Sequence, residues 1–261
     1  MARTCRPFTA LDIKQCATGT YAVGGATGLY FRKNKSQSLF FLRYTDETGR
    51  HVLSLGQYPS LTLVKAREEA NRLMNLVGID ERLRQSFPHE LDGGRRQRVG
   101  IARALALQPD FVVCDEPVSA LDVSIQAQVL NLLMDLQEQL GMAYMFVTHD
   151  LSVVRHIADD ILVMYLGQSV EKAPAEQLFR KALHPYTKAL LSAIPSTDIH
   201  RPMQRIQLKG EITSPINPEP GCRFAARCPY AEEGCRQPQE LVEVLPDHFV
   251  KCCRCREING I

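Results

Sequence analysis

The sequence contains no apolar run long enough to cross a bilayer. Runs such as "ILVMYL" at 161–166 fall far short of the roughly 20 residues a spanning helix needs. The opening "MARTCRPFTALDIKQ" lacks the apolar stretch and small-residue cleavage site of a secretory signal. Both absences predict a chain of the cytoplasm, at most peripheral on the inner face of the cell membrane. There is also no Gly-Lys dipeptide, which excludes the G-x-x-x-x-G-K-[ST] loop whose backbone N–H groups wrap phosphates and whose Lys reaches the β/γ oxygens. The nearest stretch, "VGGATGLY", offers Gly24, Gly25 and Gly28, but Leu29 and Tyr30 stand where the Lys and the hydroxyl are required. It reads as a turn.

At 261 residues and 45% hydrophobic content the chain can bury one large core or two small ones. Net charge is only +2, unevenly spread: residues 1–70 hold 10 Lys+Arg against 5 Asp+Glu, and the remaining 21 basic residues face 24 acidic ones. Six of the nine cysteines (Cys222, Cys228, Cys235, Cys252, Cys253 and Cys255) lie in the last 40 residues. In a reducing compartment such a cluster suggests metal ligation more than disulfides.

Near the N-terminus, "GLYFRKN" (28–34), "SLFFLRYTD" (38–46) and "HVLSLGQYP" (51–59) are aromatic and β-branched, with polar turns between them. They predict an antiparallel meander. A helix follows, with Ser60 available as cap and Leu63, Ala66, Ala70, Leu73 and Leu76 at helical spacing. From about residue 95 the texture changes. "RRQRVGIARALAL" reads as helix, "FVVCDE" as buried strand, "SIQAQVLNLLMDLQEQLG" as helix, "AYMFVTHD" as strand and "DDILVMYLGQSV" as strand plus turn. Apolar strands alternating with helices argue for a parallel sheet covered on both faces. After residue 183 six prolines, from Pro185 to Pro220, break up regular elements, so this stretch is expected to be an extension and not more of the sheet.

"FVVCDEP" delivers Asp115 and Glu116 at the C-terminal edge of a strand, where parallel α/β sheets place ligands. One carboxylate can hold Mg²⁺ through its water shell and the next can orient a water. Alone, this could be a strand ending in a solvated acidic turn. With "LDGGRRQRVGIARAL" upstream, "SALD" (119–122) directly after and "FVTHD" beyond, the ordered set resembles the C-terminal half of an ABC-type ATPase: signature motif, Walker B, D-loop and switch histidine. "FPHEL", "FVTHDLSVVRHIADDILVMYLG" and "HPYTKALLSAIP" narrow the resemblance to the ATP-binding subunits of dipeptide, oligopeptide and nickel importers, from about residue 72 to the end. The resemblance implies ATP and Mg as ligands, with Asp115 as the magnesium-side carboxylate, Glu116 as the general base and His149 as the γ-phosphate sensor. Asp122 would lie in the loop that couples two subunits, and Asp92, Gly93, Gly94 and Arg95 would serve the nucleotide of a second ATPase subunit. Membrane permease subunits are the other implied partners.

Two departures matter. The family pattern L-S-G-G-Q stands here as Leu91-Asp92-Gly93-Gly94-Arg95. As a helix N-cap, Asp92 takes up the free N–H groups an incoming phosphate needs. It also repels that phosphate: like unit charges about 4 Å apart cost about 4 kcal/mol at an effective dielectric near 20, which Arg95 can partly offset. The phosphate-loop half is missing altogether, so two interior strands are expected to expose ladder edges and apolar faces.

What stands in its place, "GLYFRKNKSQSLFFLRYTDETGRHVLSLGQYPSLTLVKAREEA", resembles the arm-type DNA-binding domain of phage and island tyrosine recombinases over roughly residues 8–78. There a small sheet presents cations to DNA, which here implies Arg32, Lys33, Lys35, Arg43 and Arg50, with phosphate affinity that falls with salt. No H-x-x-R occurs in the chain, so recombinase chemistry is absent. The join lies within about 64–78. In the tail, Cys222, Cys228, Cys235 and Cys252 are spaced by five, six and sixteen residues. Some peptide-importer ATPases hold an iron–sulfur cluster on such a segment, and four thiolates suit [4Fe–4S] or Zn. Cys253 and Cys255 compete for the fourth place.

The fold expected is α/β: a truncated P-loop NTPase parallel sheet with helices (72–183), preceded by a small α+β domain of a three-stranded antiparallel sheet plus helix (1–71) and followed by an irregular Cys-rich extension (184–261). Two functions are implied, the ATP-binding subunit of a peptide importer with little or no hydrolysis of its own, and a DNA-binding remnant of an integrase fused to a non-functional ATPase fragment.

Overall fold

A computed structural model describes residues 7–24, 29–46, 49–80, 82–83, 90–194, 205–211, 214, 216, 218 and 220–261, excluding the side chains of 44–46, 49–51 and 53. The chain divides into two units, Met1–Val147 and Thr148–Ile261.

The first unit opens with α1 (Ala10–Gln15). Thr9 Oγ1 accepts from Asp12 N, and the Asp12 carboxylate accepts from Thr9 N at 2.7 Å, a reciprocal cap that lets a six-residue helix form. Strands β1 (Gly19–Ala22), β2 (Leu29–Lys33), β3 (Ser38–Asp46) and β4 (Gly49–Tyr58) make an antiparallel meander in sequence order. The three expected strands are β2 to β4. The fourth, "GTYA", is too short to show an alternating pattern of its own and is recruited by its ladder with β2, from Gly19↔Lys33 to Ala22↔Tyr30. Leu29, Phe31, Phe40 and Leu42 form a buried face against Leu63, Ala66 and Ala70 of α2 (Leu63–Leu76). The cap of α2 is Thr62, not Ser60: Leu61 N donates to Gln57 O at 2.7 Å, which keeps Ser60 in the turn.

Then come α3 (Gly93–Leu105), β5 (Phe111–Asp115), α4 (Val123–Leu140) and β6 (Ala143–Val147). Helix α4 buries Val129, Leu130, Leu133 and Leu136 and stops at Gly141, whose φ of 64° is the left-handed conformation that ends helices. β5 and β6 pair in parallel from Phe111↔Ala143 to Asp115↔Val147. Cover on both faces is not achieved. Phe111, Val113, Met145 and Val147 are 46–55% exposed on one side.

In the second unit, α5 (Leu151–Ile157) leads to the hairpin β7 (Asp160–Tyr165) and β8 (Gln168–Pro174), joined through Leu166 and Gly167, both at positive φ, as a two-residue hairpin turn requires. Helices α6 (Ala175–Arg180) and α7 (Pro185–Ser192), strands β9 (Val242–Leu245) and β10 (His248–Val250), and α8 (Cys255–Asn259) follow. The tail was expected to add nothing to the sheet, and here the sequence reading is corrected: β10 pairs with β8 and with β9, giving the antiparallel order β7-β8-β10-β9.

The pin for this pairing is Glu171 of β8, fully buried. Its carboxylate accepts from Leu183 N at 2.6 Å and His184 N at 3.1 Å, and lies 2.7 Å from His248 Nε2 of β10. The "HPY" triplet follows from the same packing. His184 caps α7 by accepting from Tyr186 N at Nδ1 (3.1 Å), Pro185 fills the first helical turn, and the Tyr186 ring meets Tyr165 and Phe224 at 4.8 and 5.4 Å. Burial holds the His184 imidazole down at about 4, so it stays neutral and able to accept.

Candidate functional site

The residues expected to handle nucleotide fall into two groups. Asp92 is the N-cap of α3, with Oδ1 accepting from Arg95 N at 2.8 Å. Its other oxygen lies 3.3 Å from Arg95 Nη1, with both side chains about half exposed. The cap and its partial neutralisation are those expected from the sequence. The first-turn N–H that a phosphate oxygen needs is already taken, which weakens this helix end as an anion site. Gly93 and Gly94 open the helix. A Cβ on Gly94 would lie 2.4 Å from Ile125 Cγ2, and one on Gly93 would lie 3.1 Å from Leu121 Cδ2. Here the glycines serve the close approach of α3 to the start of α4.

Asp115 ends β5 exposed. Glu116 turns the chain away with φ of 46°, a left-handed conformation that costs a non-glycine residue about 1 kcal/mol or more. Three contacts hold it: its N–H donates to Val147 O at 2.9 Å, and its carbonyl accepts from Ser119 Oγ at 3.1 Å and Ser119 N at 3.4 Å. Asp115, Glu116, Gly93, Arg96 and Gln97 line an open cleft of about 530 Å³ between α3 and the end of β5. Asp122 caps α4 through Ile125 N at 3.0 Å.

His149 belongs to the second unit, on the short link between β6 and α5. Beside it, Asp150 caps α5 by accepting from Ser152 N at 2.8 Å. Tyr144 also lines the cleft, with its hydroxyl buried and no hydrogen-bond partner. Burial pushes its phenol to about 12, and Cys114 beside it to about 11. No sequence motif pointed to Tyr144. Its only signal was a polar atom in an apolar strand.

The cations of the N-terminal sheet divide. Arg43 lies over the Tyr30 ring at 4.4 Å and Arg32 over Phe41 at 5.0 Å, while Tyr30 and Phe41 stack at 5.6 Å. This aromatic ladder holds two guanidinium groups side by side on the sheet, each partly exposed. Lys35 is exposed in the β2–β3 turn, and the side chain of Arg50 lies outside the described residues. Lys33 does not join them. Its ammonium donates to Lys14 O at 3.0 Å and Cys16 O at 2.9 Å, at the carboxyl end of α1, where a cation is favoured. A further arginine, Arg67, which the sequence did not single out, is also internal: it donates to Gly24 O, Phe8 O and Val23 O at 2.9 Å each.

Five of the six thiols of the C-terminal extension are buried or half-buried. Cys222 and Cys228 pack against the cluster around Phe224, whereas Cys252 packs against Leu183, Val250 and Cys255. Cys222 nonetheless lies close enough to Cys235 and to Cys252 for their sulfurs to interact electrostatically. Cys235 meets Cys253, sulfur to sulfur at 3.9 Å, and not Cys252. Burial pushes the Cys252 thiol to about 12 and raises Cys222 and Cys228 as well, with neighbouring sulfurs adding to the rise. Among the described residues no three His, Cys, Asp or Glu side chains converge on a metal-sized site. The four-thiolate set of Cys222, Cys228, Cys235 and Cys252 thus gains no support as a [4Fe–4S] or Zn site from this arrangement. No helix among them is long and apolar enough to cross a membrane.

Comparison with known proteins gives two relationships. Residues 8–85 match the family model of the Arm DNA-binding domain, and residues 170–235 match that of the oligopeptide/dipeptide transporter C-terminal region. The dipeptide transport ATP-binding protein DppF of Haemophilus influenzae is 52% identical over 193 residues, 74% of this chain and 59% of DppF. The di/tripeptide transport ATP-binding protein DppF of Pseudomonas aeruginosa is 48% identical over 201 residues, 77% and 62%. The oligopeptide transport ATP-binding protein AppF of Bacillus subtilis is 50% identical over 196 residues, 73% and 59%. The chain thus spans about three fifths of the curated relatives it matches.

Proposed function

From a chain that joins an arm-type DNA-binding segment to a segment related to peptide-transport ATP-binding proteins, we propose a component of a dipeptide or oligopeptide import system that has lost its own phosphate cradle. In this reading residues 72–183 descend from an ABC ATPase domain, 184–261 from a transporter-type C-terminal extension and 1–71 from an integrase arm. Asp115, Glu116 and His149 occupy the places of magnesium-side carboxylate, general base and γ-phosphate sensor. The observation that carries the reading is the cleft where Asp115 and Glu116 stand beside the start of α3. The residues present do not fit a triphosphate. There is no Gly-Lys loop, and the Asp92 carboxylate occupies a first-turn N–H at the start of α3, which opens on the cleft. We derive no hydrolytic step. Any role in transport is exercised through a second, intact ATPase subunit and membrane permeases, by presenting the α3 face.

Measuring phosphate release by the purified chain at saturating MgATP tests this. No turnover above background is expected, alone or after Glu116→Gln, and turnover that the Glu116→Gln change abolishes refutes it.

A second reading rests on a different observation, the Arg32–Phe41 and Arg43–Tyr30 pairs on the N-terminal sheet. There the chain binds duplex DNA through phosphate contacts. Replacing Arg43 with Ala then weakens binding uniformly across sequences and lowers the salt slope by about one. Salt-independent binding, or none by the full chain, excludes it.

A further inference from the structure

Helix α2 carries one apolar stripe along its whole length. Leu63, Ala66 and Ala70 pack against the arm sheet, and the stripe continues at helical spacing into Leu73, Met74 and the C-cap Val77, all at most 2% exposed. The helix runs unbroken for 14 residues, about 21 Å, through the stretch in which the two sequence relationships meet. At its far end it meets α3. Arg98 Nη1, from the middle of α3, donates to Val77 O at 2.9 Å, where the carboxyl end of a helix favours a cation. A Cβ on Gly78 would lie 3.0 Å from the same nitrogen, so the guanidinium sits directly on the helix terminus. α3 also touches the arm at a second place. β3 packs against α3, and Ala106, the C-cap of α3, joins the hydrophobic cluster that contains Phe31, Phe40 and Leu42. Arm sheet, α2 and α3 lie within one compact unit.

We propose that α2 is a coupling strut, through which the arm sheet and α3 open and close as one cooperative body. The inference goes beyond both functional readings, since it needs neither DNA nor nucleotide to be bound. Its basis is that neither end of α2 can be released alone. Lifting α3 away takes Arg98 from Val77 O and Ala106 from the arm cluster. Unfolding the arm sheet strips the support from Leu63, Ala66 and Ala70, and a helix of 14 residues is marginal by itself in water. Its carboxyl end, which anchors Arg98, is lost with it. Local opening at either place therefore spreads to the other. Linkage then makes a ligand that holds the arm sheet folded a stabiliser of α3, and a ligand of α3 a stabiliser of the arm sheet.

Native-state hydrogen exchange of the full chain, read by mass spectrometry over a urea series below the unfolding midpoint, tests this with no ligand present. Peptides from β3, α2 and α3 are expected to lose protection along one common urea dependence. Arg98→Met, which removes a hydrogen bond made by a charged group, is expected to speed exchange about tenfold, and by the same factor in all three elements. An α3 that exchanges at urea concentrations where β3 stays protected, or the reverse, overturns the proposal. So does an Arg98→Met chain in which α3 alone is loosened. The wild-type profile decides the matter even if the variant fails to fold.

Discussion

Replacing Gly94 with Ala puts two structural terms in opposition. At the second position of α3, Gly94 gives up helix propensity, and Ala returns up to about 1 kcal/mol. The new Cβ, however, lies 2.4 Å from Ile125 Cγ2, inside any normal carbon–carbon contact. Ile125 cannot step aside easily, because a β-branched side chain in a helix has essentially one χ1 rotamer. Overpacking of this kind costs about 1–3 kcal/mol. Gly94→Ala alone is therefore expected to destabilise the chain by about 1 kcal/mol. In an Ile125→Ala background the obstruction is gone, and the same change is expected to stabilise by about 0.5–1 kcal/mol. The assay is a double-mutant cycle of urea midpoints followed by circular dichroism, and the signature is a change of sign. If Gly94→Ala stabilises in both backgrounds, α3 and α4 do not meet through this glycine, and Gly94 is free for another role.

Two further expectations follow from buried charge and caps. His184 is depressed to about 4 by burial, from an ordinary 6.5. Between those values the unfolded chain binds a proton that the fold refuses, so stability is full above pH 6.5 and falls by about 3 kcal/mol as pH drops through the window to 4. The His184 ring resonances should stay at their neutral position at pH 5.5, and a protonation midpoint above 6 contradicts the packing. Lys33→Met should cost about 1 kcal/mol in stability by uncapping α1 while leaving the salt slope of DNA binding unchanged; a loss of DNA affinity as large as that of Arg43→Ala refutes the assignment of Lys33 to the helix end.

A parallel sheet is normally covered on both sides, and that of β5 and β6 leaves Phe111, Val113, Met145 and Val147 substantially exposed. The sequence contained the warning as an absence, since the strands read as interior ones while no phosphate-loop segment precedes them.

The local elements were legible because their causes are local. The 3.6-residue spacing of α2, the cap Asp92, and the strand that ends in Asp115 and Glu116 all lie in contiguous text, where periodicity and capping act over a few residues. The sequence by itself thus determined the order of motifs, the missing phosphate cradle and the cap that blocks the start of α3. Tertiary structure decided what depends on residues far apart in the chain. It sent Lys33 to the end of α1 and recruited β10 to β8 through Glu171 and His248. The physical reason is the same in each case: a charged or polar group goes where burial leaves an unsatisfied partner, and that place is fixed only once the cores have closed.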